Sequence, residues 1–365
     1  MQSTLQTARK SPLASLLAHI GIAATLLLPT YAMAQAKSKQ AEIYMYRGAD
    51  REQKLLEGAR KEGTLTIYTS LNPKDSAPIT EAFEKKYKIK VSLWRASGEK
   101  MVQRALTEAR AGRFTPDVME TDGIEMEILA REKLLEEFHS PSFSELPPSA
   151  FPKHRQYVAD RFNFFTIAYN TKLVKPEEVP NSYQDLVHPR WAGKIGIEAG
   201  DADWFAGLVK HMGEQEGMAF FRKLSASQPQ IRTGHTLIAE LVAAGEIPIA
   251  ATVYNHAVER LTQNGAPIKW KALNPTLGRP GAVGVAKNAP HPHAALLFAD
   301  YILSREGQEL IKSRNRVPAS MAVGSELNKF PSLMIDPVLM LDEADKWEKL
   351  WSELFLKGQA VTKGE

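Results

Sequence analysis

Residues 64–122 alternate between two periodicities, and few folds can absorb that alternation. TLTIYTS (64–70), IKVSLWRASG (89–98) and the short PDVMETD (116–122) have the apolar, β-branched character of strands. Between them PITEAFEKKY (78–87) and MVQRALTEARAG (101–112) repeat their apolar residues at helical spacing. Strands joined through helices run parallel, and a parallel sheet must be covered by those helices. The fold class is therefore α/β. An opening helix from Tyr44 to Gly63 precedes this unit, with Leu55, Leu56 and Ala59 on one side and Gly63 as its stop.

A polar, proline-rich passage, HSPSFSELPPSAFPKHR (139–155), ends the first unit. FNFFTIAYNTKLV (162–174) follows as a strand pair or one long strand passing into a second unit. HPRWAGKIGIEAGDADWFAGLVKHMG (188–213) reads as a strand ending near Glu198 and a helix entered near Trp204. GHTLIAELVAAGE is a helix starting after Gly234, and IPIAATV is a strand that leaves Tyr254 at its end, where open α/β sheets present ligand contacts. GRPGAVG and the passage near Arg155 are candidate crossings between the units. The stretch 342–358 is an amphipathic helix with Trp347, Leu350, Trp351 and Phe355 on its apolar face.

The first 36 residues read as a cleaved secretory signal peptide. Arg9 and Lys10 precede an apolar stretch, and Ala32-Met33-Ala34 and Ala34-Gln35-Ala36 are small-x-small cleavage patterns. Without Arg9 and Lys10 the formal charge falls from +4 to +2, which gives no reason to expect nucleic acid as a partner. The chain has no cysteine, so disulfides, thiolate metal ligands and a lipid-modified cysteine are excluded. GxSxG, HExxH and P-loop motifs are missing, which leaves a periplasmic hydrolase as a distant reading.

The ordered set LTIYTS, ITEAFEKKYKIKV, LTEARAGRFTPDVM, FTIAYNT, HPRWAGKIGI, NGAPIKW and KNAPHPHAALLFADYILSREGQELI resembles the extracellular solute-binding proteins of bacterial ABC importers. Within them it looks like the branch of ferric-iron-binding proteins and their organic-solute relatives. The resemblance spans about residues 42–358. It implies a bilobal, type II-like periplasmic binding protein fold, with solute held in a cleft between two sheet-and-helix lobes. The implied partition is a discontinuous first lobe, 37–160 and 284–365, and an inserted second lobe, 161–283. It also implies a monomeric, non-enzymatic receptor in the periplasm, with a small-molecule solute, a cognate ABC permease at the inner membrane and no cofactor.

Ferric-binding relatives use neighbouring tyrosines at the second-lobe junction. Here Tyr254 is followed by Asn255 and His256, so one phenolate candidate is lost, and iron(III) favours charged oxygen donors. A small anionic organic compound is accordingly the leading expectation for the solute. Iron(III) as transported solute, held by Tyr254 and His256, is the alternative.

The candidate contacts are strand-end residues, each with a bland reading beside it. Tyr68, Thr69 and Ser70 offer hydroxyls at the first strand exit, or pack and shape its turn. Arg95 could clamp an anion with Ser97 at a helix start, or be a solvated arginine. Tyr169 ends its strand's aromatic run, and Trp204 either stacks on solute or closes a hydrophobic edge. Glu120 and Asp122, like Asp201 and Asp203, are explained well enough as helix caps. Tyr254 is a cleft residue and Asn255 accompanies it; Glu259 and Arg260 face water or pair along their helix. His291 and His293 mark a proline-containing helix entrance better than a metal site.

Overall fold

The computed structural model describes residues 39–357; the expected signal peptide, 1–36, lies outside the described residues. Its strands are β1 (Thr64–Thr69), β2 (Lys90–Arg95), β3 (Val118–Asp122), β4 (Leu135–Glu136), β5 (Val158–Asn170), β6 (Ile195–Glu198), β7 (Gln230–Arg232), β8 (Ile249–Tyr254), β9 (Ile268–Lys271), β10 (Thr276–Ala286), β11 (Val317–Pro318) and β12 (Ser332–Met334).

β1 starts as soon as the helix Arg51–Glu62 stops. Gly63 has φ of 72°, a conformation glycine adopts without strain, and its amide closes the helix on the Ala59 carbonyl. β2 and β3 lie parallel on either side of β1, joined through the helices Pro73–Tyr87 and Gly98–Arg110, as the alternation requires. β10 then pairs antiparallel with β3 and β5. The main path across the sheet is β2-β1-β3-β10-β5-β8-β6-β7.

FNFFTIAYN is one long strand, and that settles how the lobes are joined. The first half of β5 pairs with β10, and its second half pairs with β8 and β9. One continuous backbone therefore belongs to both lobes. Close approach shapes this junction: a Cβ on Gly281 of β10 would sit 2.5 Å from the Arg161 guanidinium carbon, so the position has no room for a side chain.

Each lobe has its own core. Ile67, Phe83, Val283, Phe298 and Tyr301 cluster in the first, and Phe165, Ile197, Phe205, Phe221 and Leu224 in the second. A smaller cluster under β8 joins Ile238, Val242, Val253 and Val258.

The C-terminal segment departs from the expected partition. Trp347 and Trp351 lie 5.6 and 5.8 Å from Phe205, centroid to centroid, and Phe355 lies 6.3 Å from Phe221. Residues 335–355 thus bury their aromatic face on the second core, whereas the range 284–365 placed them with the first. β12 pairs parallel with the start of β10 and leads the chain there. The expected single helix is in fact Pro337–Asp342, Ala344–Trp351 and a final wider turn. Among the described residues no helix is long and apolar enough to cross a membrane.

Candidate functional site

β8 delivers Tyr254 to the junction of the lobes in extended conformation, and the helix Asn255–Gln263 starts at the next residue. Tyr254 is buried, and its hydroxyl has no hydrogen-bond partner among the described residues. Its ring lies against His235, with centroids 4.2 Å apart and planes 23° from parallel, and against His256 and Phe165 at 5.5 and 5.4 Å. His235 opens the helix His235–Ala244 and its Nε2 lies 3.1 and 3.2 Å from the two Asp201 oxygens.

Arg279, on β10, ties the two walls together. Its Nη2 donates to Asp201 (3.1 Å) and Asp203 (2.9 Å), while its Nη1 is 3.9 Å from Asp122 at the end of β3. The guanidinium sits 4.8 Å from the centre of the Phe165 ring. Asp122 also accepts a 3.0 Å hydrogen bond from Asn163. Glu125, one turn into the next helix, has no salt-bridge partner among the described residues.

Four carboxyl groups, those of Asp122, Glu125, Asp201 and Asp203, therefore surround one guanidinium and one imidazole. Their charges are felt in the titrations. Burial pushes Glu125 up to about 7, with Asp122 adding to the effect. Burial likewise raises Asp203 to about 6, although Arg279 opposes it. Burial raises the Tyr254 phenol well above its ordinary value; Arg279 lowers it, and Asp122, Asp201 and Asp203 raise it further. Burial alone would depress His235, but Asp201 and Glu198 outweigh it and the net direction is upward. His256 is held well below the usual range by burial and then by Arg316 and Arg260. Among the described residues, three buried polar atoms here lack hydrogen-bond partners: the Tyr254 hydroxyl, Asp203 Oδ2 and Arg279 Nε. Such atoms are uncommon in folded proteins, and these three meet at one junction.

Glu198, Asp201 and His235 bring ligand atoms within 4.8 Å of one another, a spacing that could hold a metal ion. Their lone pairs are largely spent. Glu198 accepts from the Gly200 and Gly234 amides at 2.5 and 2.9 Å, and Asp201 is shared by Arg279 and His235. Among the described residues, Tyr254, Asp203, Asp122 and Glu125 are the groups at this junction with oxygens still open.

Several expected contacts lie elsewhere. Tyr68 points away from the junction, and its hydroxyl donates to Glu108 at 2.9 Å beneath Trp94 and Arg104. Thr69, the next residue, is buried against Glu120. Trp204 is fully enclosed in the second core, with Phe221 edge-on at 5.1 Å. Tyr169 pairs with Ile249, at the opposite end of β8 from Tyr254. At strand rise that is roughly 15 Å away. Arg95 is exposed, 3.5 Å from the Ser70 carbonyl, and Ser97 is exposed without capping its helix. Ser70 does reach the first-lobe wall, where its hydroxyl accepts from Thr121 at 2.9 Å. Asn255 donates weakly to Glu259 and to the Asn315 carbonyl, both at 3.3 Å. His291 and His293 hold Asp117 and Glu62 at a helix entrance. Arg260 is partly exposed and pairs not along its own helix but with Asp75, at 3.2 Å.

Arg279, His235 and Glu125 were not among the expected contacts. Arg279 left a signal: it is the sole charge in TLGRPGAVGVA, and a lone charge in a buried strand needs a partner. His235 left none, because Asp201 and Tyr254 approach it only through the fold.

The model of the family described as bacterial extracellular solute-binding protein matches residues 124–346. Iron uptake protein A1 of Synechocystis is 26% identical over 295 residues, covering 73% of this chain and 78% of its own. Iron-bound HitA of Pseudomonas aeruginosa has a TM-score of 0.71 at 21% identity, covering 80% of this chain and 99% of its own. AfuA of Actinobacillus pleuropneumoniae, with fructose-6-phosphate bound, has a TM-score of 0.69 at 22% identity, covering 81% and 99%. The fold is thus the bilobal type II architecture, and no enzyme is needed to explain the site. With a family match over most of its length, this chain belongs to the bacterial extracellular solute-binding proteins.

Proposed function

We propose that the protein is the periplasmic receptor of an ABC importer, and that the solute it hands to its inner-membrane permease is ferric iron. The observation that carries this reading is the unpartnered Tyr254 hydroxyl, buried in a site where carboxyl groups outnumber cations. A trivalent cation reverses the cost borne by the acidic groups: it would favour the phenolate and ionise Glu125 and Asp203. Tyr254, Asp122, Asp203 and Glu125 have the oxygens available to it, in place of the missing second tyrosine at Asn255.

The same charge balance counts against the anionic organic solute that the sequence favoured. Arg279 is engaged by two carboxylates, Arg161 by Asp160 and Glu120, and Arg316 by Asp75. Arg95, the expected clamp, stays at the exposed rim. The names of the curated relative and of iron-bound HitA lend weight to iron.

An organic anion remains the second reading. One feature favours it: the helix Gly98–Arg110 begins at the first-lobe wall without a side-chain cap, leaving its amides open to an acceptor. Titration of metal-free protein with ferric nitrilotriacetate distinguishes the two. A visible tyrosinate-to-iron band growing to one equivalent is the expected result. A colourless titration, with a sugar phosphate or carboxylate raising the melting temperature instead, selects the second reading.

A further inference from the structure

Asp75 lies in the first turn of the helix Pro73–Tyr87, which packs on the first core through Ile79 and Phe83. Its side chain is 1% exposed and is gripped from two directions. Arg316, from the loop before β11, donates through Nε at 3.1 Å and Nη2 at 2.6 Å. Arg260 donates to the other oxygen at 3.2 Å. Arg260 stands on the helix Asn255–Gln263, which packs through Ala257 and Val258 on the cluster beneath β8. The carboxylate is therefore shared between side chains of both lobes.

Two further contacts run along the same seam. Asn255 donates to the Asn315 carbonyl at 3.3 Å, and the Gln263 and Asn315 side chains meet at 3.2 Å. All three second-lobe residues belong to one helix, the one that starts where Tyr254 ends. Asp75, Arg260, Gln263, Asn315 and Arg316 supply none of the groups around Tyr254 and Arg279 described above. The two sides of the seam stand on different lobes, so a rotation that parts the lobes along it breaks these contacts.

We infer that Asp75, Arg260 and Asn315 form a clasp that sets how long the lobes stay closed, and hence how fast solute leaves. These are positioning residues: they act on the solute through the helix that carries Tyr254. Because Asp75 is buried and doubly paired, losing Arg260 leaves Asp75 on Arg316 alone and releases only the second lobe. Arg316 keeps the carboxylate satisfied, so the first lobe is not disrupted.

The probe is ferric citrate, which rests on the iron reading, so a solute-free measurement accompanies it. Small-angle scattering of metal-free Arg260→Gln should show a larger radius of gyration than the wild type. Lys346→Gln, which breaks an exposed ion pair with Glu214 wholly on the second lobe, should not. In stopped flow, release of iron from Arg260→Gln should be roughly three- to tenfold faster with association nearly unchanged, since such contacts act mainly on the off-rate. Arg260→Lys should recover part of the difference and guards against misfolding of the first variant. If neither protein binds ferric citrate but the scattering still shifts, the clasp stands and the iron reading falls. Identical scattering profiles for wild type and Arg260→Gln, with both folded, overturn the clasp.

Discussion

His235 and Tyr254 lie ring on ring, 4.2 Å between centroids, and the same imidazole is pinned on its edge by Asp201. The stack fixes where the Tyr254 hydroxyl can be, and among the described residues no hydrogen-bond partner reaches it there. Changing Tyr254 to Phe should preserve the stack and remove an unsatisfied group. The melting temperature of the solute-free variant should equal or slightly exceed that of the wild type, because burying an unpaired polar atom costs about 1–3 kcal/mol. Calorimetry should show iron affinity lost and the charge-transfer colour gone. Undiminished affinity in this variant would remove Tyr254 from the site.

Glu125 and Asp203 give the solute-free protein a characteristic pH response. Their folded-state pKa values, about 7 and about 6, lie above the ordinary carboxyl values of 4.5 and 3.8. An acid whose pKa is raised by folding contributes stability that is complete below its unfolded value and is lost as pH rises through the folded one. The cost of ionising Glu125 therefore grows between about pH 4.5 and 7. Glu125→Gln should melt like the wild type at pH 4.5 and above it at pH 8. Parallel melting curves across that range would show that Glu125 is not burdened as described.

Aromatic size at a strand end does not make a solute contact. Trp204 is wholly enclosed, so Trp204→Ala should destabilise the fold by about 3–5 kcal/mol through lost burial and the cavity left. Solute affinity of the fraction still folded should hardly change. Arg95→Gln, at the rim, should alter neither stability nor equilibrium affinity. A tenfold loss of affinity in Arg95→Gln, measured at physiological salt, would restore it as a clamp.

The strand order of the first lobe was legible because local periodicity and short helical crossovers leave few ways to pair β1, β2 and β3. Tyr254 was legible because a buried strand has only one end at the junction. Tyr68 and Thr69 were not, although they end β1: Tyr68 turns into Glu108 and Thr69 into Glu120, and nothing local specifies which face is the cleft. Arg279 and His235 are far from Asp201 in sequence and meet it only through the fold. The aromatic face of 342–358 was visible, yet its partners Phe205 and Phe221 could be named only from the packing.

Native mass spectrometry of protein taken from its own periplasm without chelators reads out whether the cargo is ferric iron, held by a lone tyrosinate among carboxylates. The expected result is a mass increment of one iron ion, with a visible tyrosinate band that Tyr254→Phe abolishes. A metal-free protein carrying an organic anion would contradict it.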